Sequence, residues 1–170
     1  LFPNRLEFIY ATLALAKIGA VHIPISERLR EREIHYILKR TEAVGIIMVD
    51  VFWNFSFSDL LARIRDDLPA LRYIIVSETK HYAHEILLED LITQGWAQGY
   101  PHDYKEHLVE PDDLLEIVFT SGTTGDPKGV MHTHNTRCRS ALGTINGIRL
   151  TYEDVWLIMV PLSHLSLIHI

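Results

Sequence analysis

The stretch Phe119-Thr120-Ser121-Gly122-Thr123-Thr124-Gly125-Asp126-Pro127-Lys128-Gly129 holds the densest chemistry in the sequence. Thr120, Ser121, Thr123 and Thr124 each carry a hydroxyl that can donate a hydrogen bond. Gly122, Gly125 and Gly129 let the backbone turn sharply and come close to a ligand. Lys128 adds one compact positive charge. Donors, close backbone and a single cation in one loop suit a polyphosphate group. The spacing is not the Walker pattern, which needs Gly-x-x-x-x-Gly-Lys-Ser/Thr. Here Asp126 and Pro127 separate Gly125 from Lys128, and Gly129 follows the lysine.

Such a loop needs elements to position it. Leu114 to Phe119 reads as a buried strand ahead of it, and Val130 to His132 as an extended piece leading to a helix from about Asn135 to Thr144. Upstream, Asn4 and Glu7 have the spacing of a helix cap, and Gly19 is placed to stop that helix. Val21 to Ile25 reads as a short extended run. Ile34, Ile37 and Leu38 share one face of a predicted helix over Glu31 to Arg40. Gly45 to Val49 and Tyr73 to Val76 are compact β-branched runs, hence buried strands. Leu60, Leu61, Ile64 and Leu68 recur at helical spacing over Asp59 to Leu68. A helix is expected near Glu89 to Gln94 within an irregular stretch from Ser77 to Pro111, and a last strand over Val155 to Val160. Strands alternating with helices predict an α/β fold, layered, with a largely parallel sheet flanked by helices. In such sheets a loop at a strand's carboxyl end is a ligand site.

The ordered string Thr120 to Gly129 resembles the signature of the adenylate-forming (AMP-binding) superfamily. That superfamily holds acyl- and aryl-CoA synthetases, peptide-synthetase adenylation domains and luciferases. Pro3 to Phe8, Ala16 to Val21 with Pro24, Asp112-Asp113-Leu114, and Gly129 to Asn135 are similar to the family's pattern as well. The resemblance covers about residues 2–164 and is most like an acyl- or aryl-CoA synthetase. It implies a partial N-terminal domain of such an enzyme over 1–164. It also implies an activity: a carboxylic acid attacks the α-phosphate of Mg-ATP, and coenzyme A then displaces AMP from the acyl-adenylate. By the same resemblance Thr120, Ser121, Gly122, Thr123, Thr124, Gly125 and Lys128 hold the phosphates. His164, in Pro161-Leu162-Ser163-His164, contacts the carboxylate or lines the acyl pocket. ATP, Mg2+ and coenzyme A are the expected cofactors and co-substrates, and a small-molecule carboxylic acid the expected partner. The family's adenine, ribose and C-terminal lysine motifs do not occur in these 170 residues, so the chain alone is expected to be inactive. The alternatives are a non-catalytic phosphate-binding module, or another adenylate-forming enzyme of the peptide-synthetase or luciferase kind.

The net charge of −6 and pI near 5.9 lack the basic footprint of a nucleic-acid binder. No apolar run reaches the roughly 18 residues that mark a membrane-spanning helix, and no secretory leader is evident. A cytoplasmic location is therefore the expectation. Cys138 is the single cysteine, expected to be a buried or inert thiol. His132 and His134 read as a strand running into a helix cap. His81 and His84 read as exposed, and Glu27 to Glu33 as a solvated helix start.

Residues 165–170, Leu-Ser-Leu-Ile-His-Ile, are expected to be a non-native tail. The codons CTG TCT CTT ATA CAC ATC encode them, and that string is a transposon-end adapter of sequencing libraries. Amplifying the gene from genomic template should give different codons after His164. Finding the same codons there would overturn the expectation.

Overall fold

A computed structural model describes residues 1–93, 109–120, 126–155 and 157–163. The chain divides into two compact units: Leu1–Phe2 with Glu27–Tyr104, and Pro3–Ser26 with Lys105–Ile170.

The first unit is a small layered α/β assembly. β1 (Gly45–Val49) and β4 (Tyr73–Ser77) pair in parallel, Ile46 facing Ile74 and Met48 facing Val76. β5 (Glu85–Leu87) extends the sheet on the far side of β4, also in parallel. Helices α2 (Glu31–Arg40) and α3 (Phe57–Ile64) turn apolar faces inward, burying Ile34, Ile37, Leu38, Phe57, Leu60, Leu61 and Ile64. Ser56 caps α3 by accepting from the Asp59 N–H at 3.1 Å. A 3-10 turn over Arg65–Asp67 completes the predicted apolar stripe and buries Leu68. A tight hairpin of β2 (Val51–Phe52) and β3 (Phe55–Ser56) turns through Trp53 and Asn54, both with positive φ as a type I′ turn requires. Short helix α4 (Leu88–Thr93) follows β5.

The second unit is built around an antiparallel ribbon. β6 (Leu114–Thr120) pairs with β7 (Lys128–Thr133). Helix α1 (Leu6–Lys17) precedes the ribbon in sequence and α5 (His134–Ile148) follows it. α1 ends in a Schellman arrangement: the Gly19 N–H donates to Ala16, the Ala20 N–H to Leu15, and Gly19 takes φ +70°.

The α/β class and the parallel sheet are as expected, but the strand ahead of the Thr120–Gly129 loop lies in the antiparallel ribbon. Four local expectations also change. Asn4 does not cap α1; Arg5 is the N-cap, without a side-chain bond. Val21 to Ile25 is a single bridge at His22 instead of a strand. Val155 and residues 157–160 form no strand. Glu27 is buried instead of solvated. His81 and His84 are exposed, as expected, and the His81 ring also reaches the buried Asp50 carboxylate.

The units differ in how much core they own. Among the described residues, the first unit holds most of the buried apolar side chains. α5 buries none of its residues, while Met131, Leu142, Ile148, Val155, Leu157 and Met159 are exposed. Leu60→Ala is therefore expected to cost about 2–5 kcal/mol in urea unfolding. Leu142→Ala on α5 should cost under about 0.5 kcal/mol.

Candidate functional site: the β6–β7 hairpin

β6 is Leu-Leu-Glu-Ile-Val-Phe-Thr, a β-prone run broken by one carboxylate. Its pairing with β7 sets Ile117 opposite Met131, Val118 opposite Val130, Phe119 opposite Gly129 and Thr120 opposite Lys128. Thr120 and Lys128 therefore close the two ends of the loop against each other. The Thr120 hydroxyl donates to the Lys128 carbonyl at 3.4 Å. Lys128 is exposed, its ammonium available to an anion. Ser121, Gly122, Thr123, Thr124 and Gly125 lie outside the described residues, as does His164.

Gly129 is demanded by packing. A Cβ there would meet Ile117 Cγ2 at 2.7 Å and Phe119 Cζ at 3.3 Å. The Ile117 methyl occupies the space a side chain would need, with the Phe119 ring closing in beside it. The expectation that β7 runs into a helix cap holds. Thr133 accepts from the Thr136 N–H at 3.2 Å, and Thr136 accepts from the Thr133 N–H at 2.9 Å. The start of α5 is also bonded to the segment before β6: His134 N–H to Asp113 at 3.2 Å, Asn135 N–H to Pro111 at 2.7 Å.

Below the loop lies a polar cluster that sequence reading missed. The Glu116 carboxylate is 3% exposed and meets Arg137 Nε of α5 at 2.6 Å. Burial pushes the Glu116 carboxyl above its usual range, and Arg137 opposes that shift. His22 sits at the same place: its N–H donates to Leu115 at 2.9 Å, and its carbonyl accepts from Ile117 at 2.9 Å. Its ring packs edge-on against Phe8 at 5.6 Å. Burial, then repulsion from positive groups including Arg137, lowers the His22 pKa to about 4. The signal available in the sequence was the lone glutamate inside an apolar strand.

Asn4 has a different task from capping. Its amide Nδ2 donates to the Val160 carbonyl at 2.9 Å, and its Oδ1 accepts from the Leu162 N–H at 2.8 Å. The amide thus reads both polarities of the Val160–Leu162 backbone, holding the segment that leads to Ser163. Cys138 is exposed, so of the two expected forms, buried or inert, the buried one does not hold; it lines a cleft of about 640 Å³ with Leu13, Lys17 and His134. Neither Thr120 nor Lys128 lines that cleft.

A strand and a capped helix flank a hydroxyl- and glycine-rich stretch whose ends, Thr120 and Lys128, pair across an antiparallel hairpin of an α/β protein. The chain belongs to the AMP-binding enzyme family, whose pattern matches residues 1–168. It is 31% identical to a medium-chain fatty-acid–CoA ligase of Escherichia coli, over 95% of this chain and 28% of that one. It is 32% identical to a 2-succinylbenzoate–CoA ligase of Listeria monocytogenes, over 90% and 26%. The apo structure of Mycobacterium smegmatis MbtA superposes with a TM-score of 0.79 at 26% identity, over 96% of this chain and 29% of that one. The chain thus spans less than a third of the length of these relatives.

The His22 shift predicts a pH effect. Its folded pKa lies below the ordinary 6.5, so the unfolded chain binds the extra proton. Stability should be full above pH 6.5 and fall as pH drops towards 4, by no more than about 3 kcal/mol. Denaturant unfolding across that range measures it, and His22→Phe should flatten the slope.

Proposed function

We propose that the protein containing this chain activates a carboxylic acid with ATP and passes the acyl group to coenzyme A. The observation that carries this reading is the opposition of Thr120 and Lys128 at the ends of a glycine- and threonine-rich hairpin loop. The relatives named above as CoA ligases favour that acceptor over the alternatives.

In this reading the loop Thr120, Ser121, Gly122, Thr123, Thr124, Gly125 and Lys128 grips the β- and γ-phosphates. The carboxylate oxygen of the acid attacks the α-phosphorus, and the bond from that phosphorus to the bridging oxygen breaks. Pyrophosphate leaves carrying the negative charge. Lys128 and the hydroxyl donors stabilise that charge and hold the leaving group in line. The sulfur of coenzyme A next attacks the acyl carbon, and AMP departs. His164 contacts the carboxylate or the acyl pocket. The ATP is taken as its magnesium complex. Among the described residues no group of three His, Cys, Asp or Glu could cage a metal, and magnesium ordinarily rides on substrate phosphates with few protein ligands. A cytoplasmic site of action belongs to the same proposal; among the described residues no helix is long and apolar enough to cross a membrane.

Isothermal titration of the 170-residue chain with inorganic pyrophosphate and with Mg-ATP tests the phosphate grip. Lys128→Ala should weaken pyrophosphate binding at least about tenfold, the loss of one charge-assisted contact. Equal binding by the variant refutes the assignment of Lys128. The chain alone should give no ATP–pyrophosphate exchange with any acid.

A further inference from the structure

We infer that Glu116, Arg137 and His22 are positioning residues that fix the register of the β6–β7 hairpin, and with it the face on which Thr120 and Lys128 are presented. The consequence for phosphate rests on the function proposed above; the register assignment does not.

The ribbon contains a fault in its pairing. Leu114 faces Thr133, yet Glu116 faces His132, so two steps on β6 match one on β7. Leu115 is the extra residue of a β-bulge. Side chains alternate along a strand, so everything after the bulge has its face decided there. Glu116 and Val118 are buried, and Thr120 shares their parity. In an unbulged ribbon Ile117 would take the place opposite Val130 that Val118 now holds. Val118 would then leave the buried face, and Thr120 would turn over relative to Lys128.

Three interactions hold the bulged arrangement. His22 donates to Leu115 and accepts from Ile117, so its backbone spans the fault. Glu116 is held on the buried face by Arg137 at 2.6 Å. Arg137 is itself anchored by the Thr133–Thr136 cap that ends β7 and starts α5. The ion pair therefore couples β6 to the end of its own partner strand. A carboxylate inside an otherwise apolar strand would be driven to water if unpaired, and turning to water is the same movement as the slip.

Cross-strand nuclear Overhauser contacts in the 170-residue chain read the register directly. The native chain should show Val118–Val130 contacts. In Arg137→Leu, which leaves the buried carboxylate unpaired, Ile117–Val130 contacts should become the larger set; in Glu116→Gln and Glu116→Ala, which release the hold of Arg137 but leave no charge to expel, they should appear as a minor set. Retention of Val118–Val130 alone in all three variants overturns the inference. So does loss of every β6–β7 contact while β1–β4 contacts persist, which would mean that the pair holds the ribbon together without choosing its register. In the same samples inorganic pyrophosphate should shift the Thr120 and Lys128 amides of the native chain, and binding in each variant should weaken in proportion to the fraction that has lost the Val118–Val130 register. A native chain that keeps its register but ignores pyrophosphate would sink the functional reading and leave the register assignment standing.

Discussion

A single buried carboxylate organises the second unit. Glu116 stands in a strand whose other side chains are apolar or hydroxyl-bearing, at 3% exposure. Removing a carboxylate from water costs several kcal/mol unless a charge and hydrogen bonds replace the lost hydration. Arg137 supplies the charge, and it can do so only if α5 begins where it does. The Thr133 cap, the bonds from His134 and Asn135 back to residues 111–113, and the bridge at His22 all surround that pair. What reaches the loop is the end of a chain of constraints that starts four residues earlier on β6.

The two units meet the demands of burial differently. In the first, the parallel sheet is flanked by helices, and most of its large aliphatic side chains are buried. In the second, β7 and α5 present apolar side chains outwards, and α1 buries only Phe8 among its residues. The relatives are more than three times as long as this chain, and a ribbon with one helix beside it is not a closed layer.

Sequence periodicity made the first unit legible because its pattern and its burial agree. Ile34, Ile37 and Leu38 repeat at helical spacing and are all buried, and the boundaries of α2 fall at Glu31 and Arg40 as expected. β5 escaped notice because three residues, Glu85 to Leu87, carry too little pattern, and one of them is a buried glutamate. The β2–β3 turn was equally hidden, since a tryptophan is a poor candidate for a left-handed position. Val155 to Val160 failed in the opposite way: its composition is strand-like, but apolar character makes a strand only where a partner edge exists. In the site, the loop's residue types were readable, whereas Glu116, His22 and Asn4 were not. Their roles depend on partners 21, 94 and 156 residues away.

Those separations bear on how the chain is made. The second unit is assembled from two stretches of sequence, with Glu27–Tyr104 of the first unit lying between them in the chain. On the ribosome, residues 3–26 emerge before β6 and the Val160–Leu162 segment with which they pair. Translation at about 5–20 residues per second separates Asn4 from Val160 by roughly 8–30 s. During that interval the first unit can close on its own sheet, while residues 3–26 wait for the backbone of β6 that His22 bridges. The order of synthesis and the order of assembly are thus opposed for residues 3–26, whose partners on β6 and at Val160–Leu162 are made only after residues 27–104.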